Sequence, residues 1–388
     1  MPRGISIPEI PLSYARVFRK ECFVMPSYKV CVYAICKNEE AFAAHFMESM
    51  READAVIVLD TGSTDGSVER LRSLGAQVYQ ECIQPWRFDT ARNRSLALVP
   101  DDADICVCVD LDERFTPGWR QKLEQAWTPD TDRASYRYTW NFREDGSEGC
   151  VFFLDKIHAR HGFRWKYPVH EVLEFLPDRP CRSVCAVGVQ LNHHADPSKS
   201  RAQYLPLLEL AVREYPQDDR NVHYLGREYM FRGRWDDCIR TLLQHLDMPQ
   251  ATWREERAAS MRFLAFSYLQ KGQKDLARVW YHRSIAEAPN LREPYIDFAK
   301  MLYAEQDWYG VLFLVRSALR IQNRPPIYIS EADAWGSLPY DLASLAYYYT
   351  GALSDALNAV DDAIALSPKD ARLLGNRQFF LQKLAKVT

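Results

Sequence analysis

The stretch "ICVCVDLDERF", residues 105–115, decides how this sequence is interpreted. Its first half is apolar, and its second half carries two aspartates separated by one residue. Because side chains alternate along a strand, one face would carry Ile105, Val107, Val109 and Leu111, and the other Cys106, Cys108, Asp110 and Asp112. Two carboxylates ~4 Å apart repel by about 1 kcal/mol in water and by more near protein. The pair therefore predicts a bound cation, a solvated position, or both.

Two earlier segments have the same design. "YKVCVYAICKNEE" (28–40) and "DAVIVLDTGSTDGS" (54–67) are apolar runs that end in polar residues, and helix-like segments separate the three runs. This alternation predicts an α/β domain with a mostly parallel, Rossmann-like sheet. Ligands bind outside the carboxyl ends of such strands. The polar residues expected there are Asn38, Glu39, Glu40, Asp60, Thr61, Asp110 and Asp112.

Composition places the chain among ordinary globular proteins and excludes some function classes. Of its 388 residues, 47% are hydrophobic and 26% charged, and the net charge is −3. A nucleic-acid partner is therefore disfavoured. Ten scattered cysteines without a CxxC pair favour reduced thiols. We find neither a signal peptide nor an apolar run of about 18 residues, so we expect no membrane span and a cytoplasmic location.

The second half of the chain is helical and repeats itself. A pattern of small and aromatic residues starts at Leu225, Leu264, Phe298 and Ala343, and the two middle copies are 34 residues apart. This is the period of tetratricopeptide repeats, which these copies resemble. We predict an all-α solenoid over 199–388, with an insert "NRPPIYISEADAWGS" (323–337) before the last copy. We expect its motif residues to pack helices rather than to carry out chemistry.

A β-hairpin is predicted between these two parts. "ASYRYTWNF" (134–142) alternates, with Tyr136, Tyr138, Trp140 and Phe142 on one face, and "CVFFLDKI" follows a turn. The aromatic face could stack on sugar rings, but a core position is the stronger expectation.

Taken in order, several motifs resemble one enzyme family. "ICKNEE", "VLDTGSTDGS", "FDTARN" and "VDLDE" look like the N-terminal half of family 2 glycosyltransferases of the GT-A fold. "KYPVHEVL" (166–173) and "LNHH" (191–194) resemble motifs of a bacterial subgroup fused to tetratricopeptide repeats, which includes peptide S-glycosyltransferases that modify bacteriocins. The expected organisation is an extension over 1–27, a GT-A domain over 28–198 and the repeat domain over 199–388.

The resemblance implies an inverting enzyme that uses a nucleotide-diphosphate sugar, a UDP-sugar first, with Mg²⁺ or Mn²⁺. By position, Asp60 would contact the nucleoside, and Asp110 and Asp112 would form the metal-binding Asp-x-Asp element. Without the other motifs, a turn or helix-capping role would be the better explanation of such an element. A downstream histidine would complete the metal shell, and we prefer His194 to His193.

Transfer also needs a base and a donor pocket. Glu171 in "VHE" is the first candidate for the base, with His170 as its orienter or as the alternative base. A surface position for Glu171 is the competing interpretation. The predicted donor-binding residues are Asn38, Glu39, Glu40, Asp60, Thr61, Asp89, Arg92, Asn93, Asp110 and Leu111.

The acceptor stays open at the level of sequence. Repeats of this type often hold extended peptides, so a peptide or protein side chain is the first expectation. A cell-envelope saccharide comes next, and a modified nucleobase is more remote. The repeats could instead mediate a homodimer. Two other functions compete with glycosyl transfer: nucleotidyl transfer, which usually needs a Gly-rich phosphate loop that "ICKNEEAF" lacks, and an inactive repeat scaffold.

Overall fold

A computed structural model describes residues 28–143, 145–196 and 202–386 of the chain. The predicted extension 1–27 and the predicted boundary at residues 198 and 199 lie outside these ranges. The strands of the N-terminal part are β1 (Val30–Cys36), β2 (Ala55–Asp60), β3 (Gln77–Gln80), β4 (Ile105–Cys108), β5 (Glu113–Phe115), β6 (Arg133–Thr139), β7 (Val151–Ala159), β8 (Phe163–Lys166), β9 (Val172–Phe175) and β10 (Ser183–His193).

Eight of these strands form one sheet in the order β3-β2-β1-β4-β7-β6-β10-β5. The first four are mutually parallel, and β10 is also parallel to β6, whereas the pairs β4–β7, β6–β7 and β5–β10 are antiparallel. Strands β8 and β9 form a separate hairpin. The prediction of a mostly parallel α/β sheet is confirmed.

Helices cover the sheet because its central strands are apolar on both faces. They are α1 (Glu40–Met50), α2 (Ser67–Ser73), α3 (Phe88–Ala97) and α4 (Trp119–Ala126). Ile105, Val107 and Val109 lie in the core on one face, together with Leu111. Cys106 and Cys108 lie in the core on the other face. The alternation predicted for residues 105–111 is therefore confirmed, and it directs the two aspartates to the end of β4.

The C-terminal part consists of antiparallel helix pairs. Its helices are α5 (Tyr204–Glu214), α6 (Asp219–Phe231), α7 (Trp235–Asp247), α8 (Arg254–Gln270), α9 (Lys274–Glu287), α10 (Glu293–Ala304), α11 (Trp308–Leu319), α12 (Ala332–Trp335), α13 (Leu338–Tyr349), α14 (Leu353–Leu366) and α15 (Ala371–Leu384). Gly226 shows why the motif uses small residues, since a Cβ there would collide with Leu242 of the paired helix. The predicted repeat architecture is confirmed, and α12 lies in the predicted insert.

The two parts contact each other near the ends of the sheet strands. Arg87 pairs with Glu214 at 2.7 Å, and Tyr167 donates a hydrogen bond to Asp218. The β6–β7 hairpin reaches the insert of the repeats, where Arg143 donates to the carbonyl of Ala332 at 2.9 Å. The repeats thus contact the sheet domain at the turn of this hairpin as well as at Arg87 and Tyr167. No helix in the described ranges combines the length and apolarity that a membrane crossing requires.

Candidate functional site

The candidate site lies at the carboxyl edge of β2, β1 and β4. Asp60 is the last residue of β2 and pairs in register with Cys36, the last residue of β1. Cys108 ends β4 and pairs with Tyr33 of β1, so Asp110 extends past the sheet beside the end of β1. Two strand spacings, about 10 Å, separate β2 from β4. The register of these strands therefore brings their polar ends together on one edge of the sheet, as predicted.

Asp60 shapes the loop that follows it. Its carboxylate is fully buried and accepts hydrogen bonds from the backbone N–H groups of Gly62 and Ser63, each at 3.2 Å, and from the Ser63 hydroxyl. Asn38 supports the same loop, because its Oδ1 accepts from the Thr64 N–H at 2.7 Å. In this structure the Asp60 carboxylate faces its own loop and fixes the conformation of that loop.

The other polar residues at the ends of β1 and β2 hold neighbouring backbone. Glu40 accepts from the N–H of Gly66 at 3.0 Å, and the Thr61 hydroxyl donates to the carbonyl of Cys36 at 3.0 Å. Glu39 is largely buried, and its N–H donates to Ser67 Oγ at 2.7 Å. These residues line the predicted edge by fixing the two turns next to it.

Arg92 is the centre of a buried charge network. It is only 3% exposed, and its Nη2 contacts both oxygens of Asp110 at 2.9 and 3.2 Å. Its Nε pairs with Glu171, and its guanidinium lies over the Trp165 ring. Burial alone would raise the pKa of Asp110, but Arg92 and Lys156 hold it well below its ordinary value. Asp110 is therefore an ionised group held mainly by protein cations.

Lys156 and Glu113 complete this network, and the sequence analysis missed both. Lys156 on β7 lies 3.6 Å from Asp110, and its pKa is raised by Glu113 and Asp110, although burial alone would lower it. Glu113 accepts from the N–H of Asp110 at 2.9 Å and from the Tyr138 hydroxyl at 2.7 Å. Burial raises the pKa of Glu113. The alternation in "VFFLDKI" could have assigned Lys156 to one face of a strand. The residues that this face meets depend on the order of the strands in the sheet, which the sequence pattern does not show.

Asp112 faces His193 rather than His194. The antiparallel pairing of β5 with β10 sets His193 opposite Glu113, and the Nε2 of His193 lies 3.5 Å from Oδ2 of Asp112, which precedes β5. The ring of His194 packs on Phe142, with ring centroids 5.7 Å apart. The backbone N–H of His194 donates to the carbonyl of Asp112 at 2.7 Å. Our expectation preferred His194, whereas the geometry favours His193. Asp112 lies in the turn before β5 and His194 lies just past the end of β10, so strand alternation does not set either side chain.

Asp112 and His193 fit a divalent cation. The Nδ1 of His193 lies 2.8 Å from the carbonyl of Trp140, to which it donates when Nε2 carries the lone pair. Such a second contact fixes the tautomer in metal-binding histidines. Two ligand atoms on an ion with bonds of about 2.1 Å lie roughly 3 Å apart, close to the 3.5 Å found here. Burial alone would lower the pKa of His193, but the Asp112 carboxylate raises it.

The predicted catalytic pair is divided between two environments. Glu171 lies in the Arg92 network, with its Oε1 engaged by Arg92. His170 has a positive φ of 50° and stacks on Tyr224 of α6 at 4.1 Å. Its imidazole thus packs against the repeats, whereas the Glu171 carboxylate pairs with Arg92.

Three predicted donor-binding residues contact other parts of the protein in this structure. Asn93 holds β8, since its side chain exchanges two hydrogen bonds of 2.8 Å with the backbone of Trp165. Asp89 forms a bidentate ion pair with Arg87 at 3.0 and 2.8 Å beside the junction with the repeats. The side chain of Leu111 is buried in the core. Each was predicted only from its position in a motif, and the structure provides another partner for each side chain.

The aromatic face of β6 divides between core and surface. Tyr136 and Tyr138 are buried, as expected, whereas Trp140 is 41% and Phe142 37% exposed. Trp140 stacks on His193 with ring centroids 4.5 Å apart. The exposed aromatic rings therefore lie next to the proposed metal ligand.

Comparison with known proteins agrees with this architecture. The family model described as "Glycosyl transferase family 2" matches residues 31–162. A lipopolysaccharide core biosynthesis glycosyltransferase of Rhizobium meliloti (strain 1021) is 28% identical over 104 residues, 26% of this chain and 38% of that protein. An uncharacterized glycosyltransferase of Rickettsia prowazekii (strain Madrid E) is 32% identical over 101 residues, 26% of this chain and 33% of that protein. The chain thus spans little more than a third of these relatives.

Solved structures match the helical part only weakly. The Cut9–Hcn1 complex is similar over 47% of this chain and 33% of that chain, with 14% identity and a TM-score of 0.38. YrrB, described as a TPR protein with an unusual peptide-binding site, is similar over 45% of this chain and 82% of that chain, with 15% identity and a TM-score of 0.35. The helix pairs described above, and not these scores, define the repeat architecture. By sequence, residues 31–162 are thus similar to glycosyl transferase family 2.

Proposed function

We propose that this protein is a metal-dependent, inverting glycosyltransferase that takes a sugar from a nucleotide-diphosphate donor, a UDP-sugar first. The observation that carries the proposal is the placement of Asp112 and His193, 3.5 Å apart, beyond the carboxyl end of β4 in a family 2 domain. Ligands bind at this edge in open α/β sheets.

Asp112 and His193 would hold the metal ion. When bound, Mg²⁺ or Mn²⁺ supplies positive charge that stabilises the leaving nucleoside diphosphate. Asp110 has a different part in this proposal, because Arg92 and Lys156 already neutralise it. The Asp110 carboxylate holds Arg92 in place. The backbone N–H of Asp110 donates a hydrogen bond to Glu113, which fixes the turn that leads to Asp112.

Glu171 remains the proposed base, with a geometric condition. Its Oε1 is engaged by Arg92, so the acceptor proton would pass to its other carboxylate oxygen. Inversion requires the acceptor and the leaving diphosphate on opposite faces of the anomeric carbon. Glu171 lies just before β9 and Asp112 just before β5, so the two carboxylates come from different segments, which is compatible with that requirement.

The repeats are the proposed acceptor-binding part. The β6–β7 hairpin carries the exposed Trp140 and Phe142 and also contacts the insert of the repeats through Arg143. Sugar rings stack well on exposed aromatic faces, and extended peptides bind in the grooves of helical repeats. A peptide or protein side chain next to this hairpin is therefore our first acceptor. A cell-envelope saccharide is the second, because the name of the Rhizobium relative includes lipopolysaccharide core biosynthesis.

A donor screen tests the proposed reaction. We expect the purified chain with Mn²⁺ to release a nucleoside diphosphate from a UDP-, GDP- or TDP-sugar, and an added acceptor peptide to increase the release. Pyrophosphate formation from a nucleoside triphosphate would instead favour nucleotidyl transfer. If the chain neither binds nor turns over any of these donors but still binds a protein partner tightly, the inactive repeat scaffold would be favoured.

Paired histidine variants test the ligand assignment. We expect His193→Ala to raise the Mn²⁺ concentration needed for half-maximal activity by at least about 100-fold, and His194→Ala to change it by only a few-fold, because only the His193 ring faces Asp112. Manganese titrations of donor turnover provide the measurement. Equal effects, or a larger effect for His194→Ala, would reject the assignment to His193.

A further inference from the structure

A second cluster of metal-binding side chains lies in the repeats, far along the chain from Asp112. His223 of α6, His245 of α7 and Glu256 of α8 each offer one ligand atom, and these atoms all lie within 4.8 Å of one another. The two histidines are fully buried, and Glu256 is 3% exposed. Buried carboxylates and imidazoles are costly unless they are paired or bind a metal. This cluster therefore calls for an explanation that helix packing does not provide.

Unsatisfied ring nitrogens point into the cluster. The Nε2 atoms of both His223 and His245 are buried without a hydrogen-bond partner. The His245 Nε2 lies 3.6 Å from Glu256 Oε1, too far for a hydrogen bond but close enough for a shared cation. The His245 Nε2 and the carboxylate thus lie side by side, and the His223 ring is next to them, with its centroid 5.5 Å from that of His245.

Ser260 fixes the two imidazoles in the orientation that metal binding needs. Its Oγ lies 2.7 Å from His223 Nδ1 and 3.0 Å from His245 Nδ1. A hydroxyl oxygen has two lone pairs, so it can accept from both Nδ1–H groups at once. Both Nε2 atoms then carry lone pairs. Histidine ligands of metals are typically held in this way through their other nitrogen.

We propose that His223, His245 and Glu256 bind a zinc-class divalent cation. Three protein ligands of this type suit Zn²⁺, whereas an aspartate-rich edge suits Mg²⁺ or Mn²⁺. Ligand atoms on tetrahedral zinc lie about 3.3 Å apart, so the cluster needs to contract by no more than roughly 1.5 Å from its 4.8 Å limit.

The site would brace the repeats where they meet the sheet domain. Tyr328 of the insert donates to the second oxygen of Glu256, and its carbonyl accepts from Cys150 Sγ at 3.6 Å. The ring of Tyr224, next to His223, stacks on His170. A cation here would join α6, α7 and α8 and, through Tyr328, the hairpin of the sheet domain. This role does not depend on the proposed function.

Metal content of the full chain tests the proposal. After chelator treatment and exchange into Zn²⁺, we expect the Asp112→Asn variant, which lacks the first site, to retain about one zinc per chain. Cobalt in its place should give the strong visible absorption of a tetrahedral site. His223→Asn and His245→Asn keep a donor for Ser260 but remove Nε2, and both should lose the metal. His282→Gln, an exposed histidine on α9, is the matched control and should keep it.

Two further variants protect the test against unfolding. If the histidine variants fail to fold, Glu256→Gln replaces them, and Ser260→Ala should retain the metal with an affinity about 10–100-fold weaker. Absence of zinc and of the cobalt spectrum in the folded Asp112→Asn chain would overturn the proposal and leave a hydrogen-bonded cluster. Full metal content in folded His223→Asn and His245→Asn would overturn it as well.

Discussion

Asp112→Asn is expected to reduce sugar transfer by about 100–1,000-fold or more while the fold persists. The amide has nearly the shape of the carboxylate but lacks the charge that a divalent cation requires. The side chain is 13% exposed, and its ion-pair contact with His193 spans 3.5 Å. The amide keeps one oxygen that can accept hydrogen bonds, so we expect the free energy of unfolding to fall by no more than about 2 kcal/mol. Initial rates of nucleotide release and urea denaturation measure the two effects.

Asp155→Asn is the matched control for this variant. Asp155 lies on β7, has a side chain that is 53% exposed and forms an ion pair with Arg133 at 2.8 Å. We expect it to leave both the rate and the stability nearly unchanged, because exposed ion pairs contribute little. If Asp112→Asn retains full activity, or loses activity only by unfolding, the proposed role of Asp112 is wrong.

Arg92→Met is expected to destabilise the fold by about 3–5 kcal/mol, the typical cost of removing one partner from a buried ion pair. Arg92 contacts Asp110, Glu171 and Cys108 from a nearly fully buried position. Methionine fills part of the volume over Trp165 but leaves Glu171 without the cation that contacts it and leaves Asp110 with Lys156 as its cation. Urea denaturation at pH 7 measures the loss.

Arg94→Met separates this effect from any general effect of helix α3. Arg94 lies two residues further along α3, and its side chain is 63% exposed in an ion pair with Glu81. We expect a change of no more than about 0.5 kcal/mol. In addition, Asp110→Asn should destabilise the Arg92→Met chain less than it destabilises the wild type. A loss of under about 1 kcal/mol in Arg92→Met would contradict the buried network.

Local periodicity explains what could be predicted from the sequence. The alternation of residues 105–111 fixed the two faces of β4, and the recurring small and aromatic residues fixed the helix pairs. Both patterns act between neighbours in the chain or between adjacent repeats, so single-sequence analysis can detect them. The acidic ends of β1, β2 and β4 followed from the parallel sheet alone.

Long-range pairing explains what could not be predicted. The choice between His193 and His194 depends on the turn before β5, which brings Asp112 beside the end of β10 only after these two strands have paired. Arg92 meets Asp110 and Glu171 only after three separate segments have come together. Lys156 reaches this group because β7 inserts next to β4 in antiparallel orientation. Asn93, which was assigned from its motif position alone, instead donates a hydrogen bond to the backbone carbonyl of Trp165.

Calorimetric titration of UDP in the presence and absence of Mn²⁺ tests the central claim most directly. The claim is that Asp112 and His193, at the carboxyl edge of the sheet, hold a divalent ion together with a nucleoside diphosphate. We predict binding that requires Mn²⁺ and that weakens by at least about 100-fold in Asp112→Asn. UDP binding that is independent of metal and unchanged in Asp112→Asn would contradict the claim, as would the failure of UDP, GDP and TDP alike to bind.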